Sequence, residues 1–434
     1  MNLLEGNIKK QLIILMLPLI VGNILQQFYN TIDSMIAGHF IGDLAFGAIG
    51  VAGSVMNLFI FMLNGACVGV SVVFAQVYGL RKWDLLKKES FMSLLFGELF
   101  TITLSFISLL FLKSILNIIE TPSGIFTYAF DYLKIILMGL PITFLYNWCS
   151  CALQASGDTK MPLYTLMIAM AINTILDYFF VAKLSIGTSG AALATVIAQF
   201  IASFICLLVM RKRHKEFFFS LSDCRLDKLL LKKTIRYGVV SALHQSSLYI
   251  GKLLVQKCVN TGGSDMIAAY SATMRIEGFA NSFSDSGGAV LSTFVAQNSA
   301  VNNKTRVKEG LKQALQIMLS LSFLLAIIMI ISCRSVVYIL MTNPNANILD
   351  NVYQYIFVIS LCYFLCFIGS TFVGYFRGLG KVEVPIIGTV IQITIRVIFS
   401  YILIDYMGLK AVSLATGIGW FVIVVYQIIT YIKK

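Results

Sequence analysis

Long apolar runs separated by short polar connectors fill the sequence from beginning to end. A helix needs about 20 apolar residues to cross the 30 Å hydrocarbon layer of a membrane, and these runs are long enough. The pattern predicts twelve helices, at residues 11–37, 44–77, 90–113, 125–150, 162–183, 187–210, 233–258, 264–299, 309–333, 347–375, 384–406 and 409–431. We therefore expect an all-α integral membrane protein with twelve transmembrane helices.

The composition supports this assignment. Of the 434 residues, 58% are apolar and 12% are charged, whereas an average soluble protein has roughly half and a quarter. The longest charge-rich stretch runs from Arg211 to Lys233, which leaves no room for a large extramembrane domain. The nine cysteines are scattered through the apolar segments, so we expect core side chains rather than a zinc site or a disulfide framework.

The net charge of +13 is interpreted from where the basic residues lie along the chain. Of the 33 Lys and Arg, 23 lie at the two termini and in every second connector, five lie in the other connectors, and five lie inside helices. Because connectors rich in basic residues stay in the cytoplasm, both termini are predicted to be cytoplasmic in a multi-pass protein of the cell (inner or plasma) membrane. Basic stretches interleaved with stacking aromatics are missing from the sequence, so the expected partner is the lipid bilayer and not nucleic acid.

The two halves of the chain resemble each other at a shift of 223 residues. The loop residues that then coincide are Gly157 with Gly380 and Pro162 with Pro385. Six helices in each half is an even number, so both halves enter the membrane from the same side as parallel repeats, which is a transporter architecture. The expected organisation is a monomer with an N-terminal six-helix lobe (1–210), a cytoplasmic connector (211–232) and a C-terminal six-helix lobe (233–434).

Carboxylates inside membrane helices are costly and are therefore functional candidates. The first half has Asp33 on the first helix and Asp177 on the fifth, with Asn173 one turn before Asp177. Other polar side chains follow helical spacing on the first, fourth and sixth helices and must face protein or water; these are Asn23, Gln26, Asn30, Asn147, Ser150, Gln154, Thr195 and Gln199. Oxygen donors around one or two acids suit either a sodium ion or a proton.

Several motifs carry a specific resemblance to a known family. They are Glu5-Gly-Asn-Ile-Lys-Lys-Gln11, Leu17-Pro-Leu, Gln26-Gln-Phe-Tyr-Asn-Thr-Ile-Asp33-Ser-Met-Ile-Ala-Gly38 and Leu153-Gln-Ala-Ser-Gly-Asp-Thr-Lys-Met-Pro162. In this order, within helices divided six and six, they resemble the multidrug and toxic compound extrusion (MATE) family over the whole chain. The resemblance implies a V-shaped pair of lobes that exchanges sodium or protons for organic, often cationic, compounds without a cofactor.

The resemblance also implies a cation site in the N-terminal lobe. The matching residues are Asp33, Asn173, Asp177, Thr195 and Tyr132, with Asp33, Asn173 and Asp177 as the ligands if the ion is sodium. An asparagine that the family carries on the fourth helix has no match, and Ser150 takes its place with Asn147 one turn away. The 223-residue shift places Asn173 on Arg396, Asp177 on Ser400 and Asp33 on Gln256. Only the N-terminal lobe is therefore expected to bind the coupling ion.

The expected substrate is an amphipathic, cationic organic compound held between the lobes, where aromatic side chains offer apolar and cation-π surface. Polar and aromatic candidates for binding it are Gln26, Tyr29, Tyr146, Glu277, Asn281 and Asp285. The last three follow helical spacing on the eighth helix, which places them on one face.

Two other classes of protein are alternatives to an exporter. A flippase for lipid-linked saccharides shares the architecture and needs basic residues to hold a pyrophosphate; the intrahelical residues that favour it are Lys134, Lys252, Arg275 and Arg396. An intramembrane enzyme needs a metal set, a Ser-His pair or paired Asp residues. The three histidines do not supply one, because His39 ends a helix, His214 lies in a basic connector, and His244 is predicted to be a hydrogen-bonded helix-packing residue.

Overall fold

The computed structural model describes residues 2–220, 223–341 and 344–433, with the side chains of residues 30–38, 43 and 46 outside the description. The described chain is helical throughout. The helices are α1 (Ile8–Ile41), α2 (Asp43–Gly79), α3 (Trp83–Leu110), α4 (Leu112–Ile118), α5 (Ser123–Met138), α6 (Leu140–Ala155), α7 (Lys160–Asp177), α8 (Thr188–Arg213), α9 (Lys228–Asn260), α10 (Gly263–Ala300), α11 (Lys304–Leu340), α12 (Ala346–Gly378), α13 (Glu383–Met407) and α14 (Leu409–Ile432). A π-helix, Tyr178–Lys183, continues α7, and a 3-10 turn, Lys215–Phe217, follows α8.

The helices overlap the predicted segments, but the prediction of one continuous helix over residues 125–150 is wrong. That segment consists of α5 and α6, which meet at a 49° bend. Pro141 lies in the first turn of α6 and has no N–H to extend the hydrogen bonding of α5. A Cβ atom on Gly139, at the bend, would lie 2.5 Å from Cγ2 of Val196, so glycine permits the close approach of α8.

The surface of the helices is that of a membrane protein. In the part of the chain that is described, nine helices are long and apolar enough to cross a membrane, or ten when the bent α5–α6 pair counts as one span. Large apolar side chains point outward, as in Phe106 and Ile331, which are 62% and 76% exposed, and in a membrane such side chains face lipid. The charged and polar α9 and α10 are not among these spans, so twelve crossings stay a prediction.

The chain divides into two compact units. Unit 1 comprises Met1–Asn2 and Leu17–Ala242, and unit 2 comprises Leu3–Met16 and Leu243–Lys434. The division falls inside α1 and α9, whereas the sequence-based domains were divided at the connector 211–232. Those domain bounds stay a prediction.

Each unit has a tightly packed interior. In unit 1, the buried Trp148 donates a hydrogen bond from Nε1 to Oγ of Ser93 at 2.9 Å and packs edge-on against Phe74. In unit 2, α10 and α12 cross so closely that a Cβ atom on Gly374 would lie 2.2 Å from the carbonyl oxygen of Gly288. These contacts hold α2, α3 and α6 together in unit 1 and α10 and α12 together in unit 2.

Candidate functional site

The end of α7 carries the first two residues of the site. Asn173 and Asp177 are each 1% exposed and lie one turn apart on the same face of the helix. The π-helix begins immediately after Asp177. Such π-helical segments are rare and occur often at functional sites. The structure therefore places the predicted amide and carboxylate side by side in the interior of unit 1.

A hydrogen bond from α7 to α8 brings in the third predicted residue. Asn173 donates from Nδ2 to Oγ1 of Thr195 at 3.3 Å, while the Thr195 hydroxyl donates to the carbonyl oxygen of Ala191 at 3.0 Å. Oδ1 of Asn173 is buried and has no hydrogen-bond donor among the residues that the structure describes. Because a buried acceptor normally has a partner, an amide oxygen left open beside a carboxylate suits a cation.

A cavity of about 80 Å³ adjoins Thr195. It has room for several water molecules, each of which needs about 10–15 Å³ on this measure. Its walls contain four of the predicted residues, Gln26, Tyr29, Tyr132 and Thr195. Across the same cavity, Thr143 donates a hydrogen bond to Oε1 of Gln199. Ion-binding and substrate-binding candidates of unit 1 thus line one cavity that is large enough for several water molecules.

Other predicted residues of unit 1 lie elsewhere. Ser150 accepts a hydrogen bond from Nε2 of Gln154 on its own helix at 3.2 Å. Asn147 and Tyr146 do not line this cavity as far as the structure describes it. Asp33 lies outside the described side chains. A ligand from α6 and a carboxylate from α1 therefore stay predictions.

The predicted substrate residues of α10 differ in exposure. Glu277 is 5% exposed, whereas Asp285 is exposed. Between them, Asn281 accepts a hydrogen bond on Oδ1 from the hydroxyl of Tyr363 at 3.4 Å. The three residues therefore extend from the interior of unit 2 to its surface.

His244 is confirmed as a helix-packing residue. It is 5% exposed, and its Nε2 lies 2.9 Å from Oγ1 of Thr389.

Sequence reasoning missed a second buried acid in unit 1, Glu89. Both of its carboxylate oxygens lie 2.8 Å from the hydroxyl of Thr234. Glu89 lies at the polar edge of an apolar run in the sequence, and this position gave no sign that its side chain is fully buried.

A further missed cluster ties two connectors of unit 1 together. His214 Nε2 lies 3.4 Å from Oδ2 of Asp158, and Nδ1 lies 3.2 Å from Oε1 of Glu216. Burial by itself would lower the pKa of His214, but the hydrogen bonds to the two carboxylates outweigh it and raise the pKa to about 9. The same bonds outweigh the effect of burial on Asp158 and Glu216 and lower the pKa of each.

Comparison with known proteins defines the class. A solved multidrug resistance MATE family transporter of the MOP superfamily, in an outward-facing conformation, superposes with a TM-score of 0.92 at 22% identity over 99% of this chain and 96% of that chain. The probable multidrug resistance protein YpnP of Bacillus subtilis (strain 168) is 26% identical over 96% of this chain and 93% of its own. The probable multidrug resistance protein NorM of Thermotoga maritima is 25% identical over 93% and 87%. The fold is that of a multi-pass membrane transporter.

The family follows from a match that repeats within the chain. The family model described as MatE matches residues 18–179 and again residues 241–402. Residue 241 comes 223 positions after residue 18, which is the shift at which the two halves resemble each other. The chain belongs to the MatE family, and the predicted family resemblance is confirmed.

Proposed function

We propose that this protein is a cation-coupled antiporter that exports amphipathic, cationic organic compounds, with sodium or protons as the coupling ion. Curated relatives that match nearly the whole chain are described as multidrug resistance or multidrug export proteins. Drug export is carried over to this chain from those relatives.

One observation carries the coupling half of the proposal. The open Oδ1 of Asn173 is buried one turn from Asp177 and is held in place by the hydrogen bond to Thr195. A sodium ion binds such oxygens directly, and a proton on Asp177 would let the acid donate to an amide oxygen. Both ions would reduce the negative charge of the same buried site.

Coupling requires that the ion and the drug favour different states of the transporter, because a ligand shifts a conformational equilibrium only through differential affinity. A potential of 100 mV supplies about 2.3 kcal/mol per charge moved, and one pH unit supplies about 1.4 kcal/mol. Two to three kcal/mol corresponds to roughly a hundredfold gradient of a neutral substrate. For a monovalent cationic substrate, exchange for one ion moves no net charge, so the potential contributes only if more than one ion enters per cycle.

The flippase alternative loses support in unit 2. A pyrophosphate site needs basic side chains that are not already neutralised. Lys252 and Arg275 both have interaction partners, and the charge of Arg396 interacts with that of Glu277. The remaining intrahelical basic residue that favours a flippase, Lys134, is exposed.

Expression in a host lacking its own efflux pumps tests the proposal. We expect a higher minimum inhibitory concentration of ethidium than with the empty vector, because the dye is an amphipathic aromatic cation. Assembly of envelope saccharides is measured in parallel in a host whose own saccharide flippase is depleted. Rescue of saccharide assembly without any change in ethidium tolerance would establish the flippase instead.

A further inference from the structure

The internal repeat gives each position of the candidate cation site a counterpart in unit 2. The α5–α6 pair and α7 match α12 and α13 at a shift of 223 residues, since α5 begins at Ser123 and α12 at Ala346. The α2 and α8 helices match α10 and α14 at a shift of 221, since α2 ends at Gly79 and α10 at Ala300. The corresponding positions are Met56 and Glu277, Tyr132 and Tyr355, Asn173 and Arg396, Asp177 and Ser400, and Thr195 and Thr416.

Contacts within each unit support this correspondence. In unit 1, the hydroxyl of Tyr132 lies 3.9 Å from Sδ of Met56. In unit 2, their counterparts Tyr355 and Glu277 also interact. The two threonines of the set each donate a hydrogen bond to the backbone carbonyl four positions earlier, at 3.0 and 2.7 Å. The contact of the tyrosine with the residue on α2 or α10, and the hydrogen bond of the threonine within its own helix, therefore recur in both units.

The chemistry at these positions differs between the units. Where unit 1 has the amide of Asn173, unit 2 has the guanidinium of Arg396, which keeps its positive charge at any physiological pH. The carboxylate has moved from α7 in unit 1 to α10 in unit 2, where Glu277 is 5% exposed. The charges of Glu277 and Arg396 attract each other. Unit 2 thus supplies from its own chain the cation that unit 1 lacks.

The unit 2 pair is not closed by a direct hydrogen bond. Nε and Nη2 of Arg396 and Oε1 of Glu277 are shielded from solvent and make no hydrogen bond of normal geometry within the described chain, although both side chains interact with the hydroxyl of Tyr355. The hydroxyls of Tyr270 and Tyr355 likewise face the guanidinium without a hydrogen bond of normal geometry, and the hydroxyl of Ser400 is buried with no hydrogen-bond partner in the described chain. Buried polar atoms without a partner normally contact water or an ion. Several oxygens are therefore available to a small cation if the guanidinium is removed.

Two other charged groups adjoin the pair. Lys252 is exposed, and its strongest electrostatic attraction is to Asp285, ahead of its interactions with Arg396 and Glu277. Asp285 in turn interacts first with Lys252. These two residues balance each other, which leaves Arg396 as the principal counter-charge of Glu277.

We propose that Arg396 is a tethered counter-ion: its guanidinium permanently takes the place that a transported cation takes in unit 1, so that the Glu277 site of unit 2 needs no ion from solution. The sequence retains the architecture of a second cation site but fills it with a side chain. This inference rests on the proposed cation site of unit 1, because the function of Arg396 is defined by comparison with that site.

The test removes the tethered charge and asks whether a free ion replaces it. Full-length protein is reconstituted in lipid nanodiscs, and its melting temperature is measured in sodium chloride and in N-methyl-D-glucamine chloride at equal ionic strength. Proton uptake is measured separately between pH 6 and pH 8. All variants carry Asp177→Asn. One has this substitution alone, and a second adds Arg396→Gln. The control that keeps the positive charge adds Arg396→Lys, and the control without the acid adds both Arg396→Gln and Glu277→Gln.

Asp177→Asn alone is expected to lose the cation response of the wild type, and this result bears only on the proposed function. Adding Arg396→Gln should restore a response to sodium or protons, while adding Arg396→Lys, or both Arg396→Gln and Glu277→Gln, should not. Absence of any response after Arg396→Gln would overturn the tethered counter-ion. If the Arg396→Gln variant cannot be purified, the additional substitution Glu277→Gln must restore the yield, because this second substitution removes the buried acid that has lost its counter-charge. A failure of that rescue would also overturn the inference.

Discussion

Replacing His214 with glutamine should destabilise unit 1 at neutral pH but not at high pH. The histidine bridges Asp158, in the connector before α7, and Glu216, in the turn after α8. Its pKa rises from 6.5 to about 9 in the folded protein. Because the folded pKa exceeds the unfolded one, the stabilisation is fully present below pH 6.5 and is lost as the pH rises through about 9.

The size of the effect follows from that shift. One pKa unit corresponds to about 1.4 kcal/mol, so the shift sets an upper bound of about 3 kcal/mol. The side chains of Asp158 and Glu216 are 20% and 22% exposed, and screening by water reduces the expected value to about 1–2 kcal/mol. Asp158 and Glu216 have lowered pKa values in the folded protein. The stabilisation that these two carboxylates contribute is therefore present above their unfolded pKa values and is lost as the pH falls through their folded ones.

The assay is amide hydrogen exchange of residues 158–161 and 214–217 in detergent at pH 7 and pH 9.5, corrected for the intrinsic exchange rate. The wild type should lose protection between the two pH values, whereas His214→Gln should be less protected at pH 7 and change little by pH 9.5. The amide of Met161, which donates to Oδ1 of Asp158, is the most direct reporter. A difference between wild type and variant of equal size at both pH values would refute the reasoning, since it would not depend on the charge of the histidine.

Two further side chains should stabilise the units in ways that a melting curve detects. The guanidinium of Arg306 donates four hydrogen bonds to residues 3–11. Arg306→Ala should therefore lower the free energy of unfolding by about 2 kcal/mol, and Arg306→Lys should lie between it and the wild type. Equal melting temperatures for all three proteins would show that these bonds do not stabilise the fold. Thr234→Val removes the hydroxyl that faces the buried carboxylate of Glu89 and should lower the free energy of unfolding by about 1–3 kcal/mol. Thr234→Ser keeps the hydroxyl and should be nearly as stable as the wild type. A Ser variant less stable than the Val variant would contradict this account of Glu89.

Sequence reasoning was most successful where spacing along a helix decides the outcome. Asn173 and Asp177 were expected to face the same way because they are four residues apart, and both are buried at the end of α7. The repeat was visible because Gly and Pro mark the loops of both halves, and the family match repeats at the same displacement.

Features that depend on packing between helices were not predicted. At the bend, Gly139 packs against Val196, which lies more than fifty residues later in the chain, although the nearby Pro141 was a visible signal. The π-helix after Asp177 changes the hydrogen-bond register without a distinctive residue pattern. The burial of Glu89 depends on its contact with Thr234, a partner 145 positions away. Periodicity along one helix contains no information about such partners.

The most direct test of the central claim is gradient-driven uptake of ethidium into everted vesicles, measured by fluorescence under an imposed proton gradient and then an imposed sodium gradient. Asp177→Asn should be present at wild-type level in the membrane yet show no uptake under either gradient, because it removes the buried charge beside Asn173. The matched control is Ser400→Ala, at the corresponding position of unit 2, which should transport nearly as the wild type does. Normal uptake by Asp177→Asn would contradict coupling at this site and would direct attention to Glu277 and Asp285.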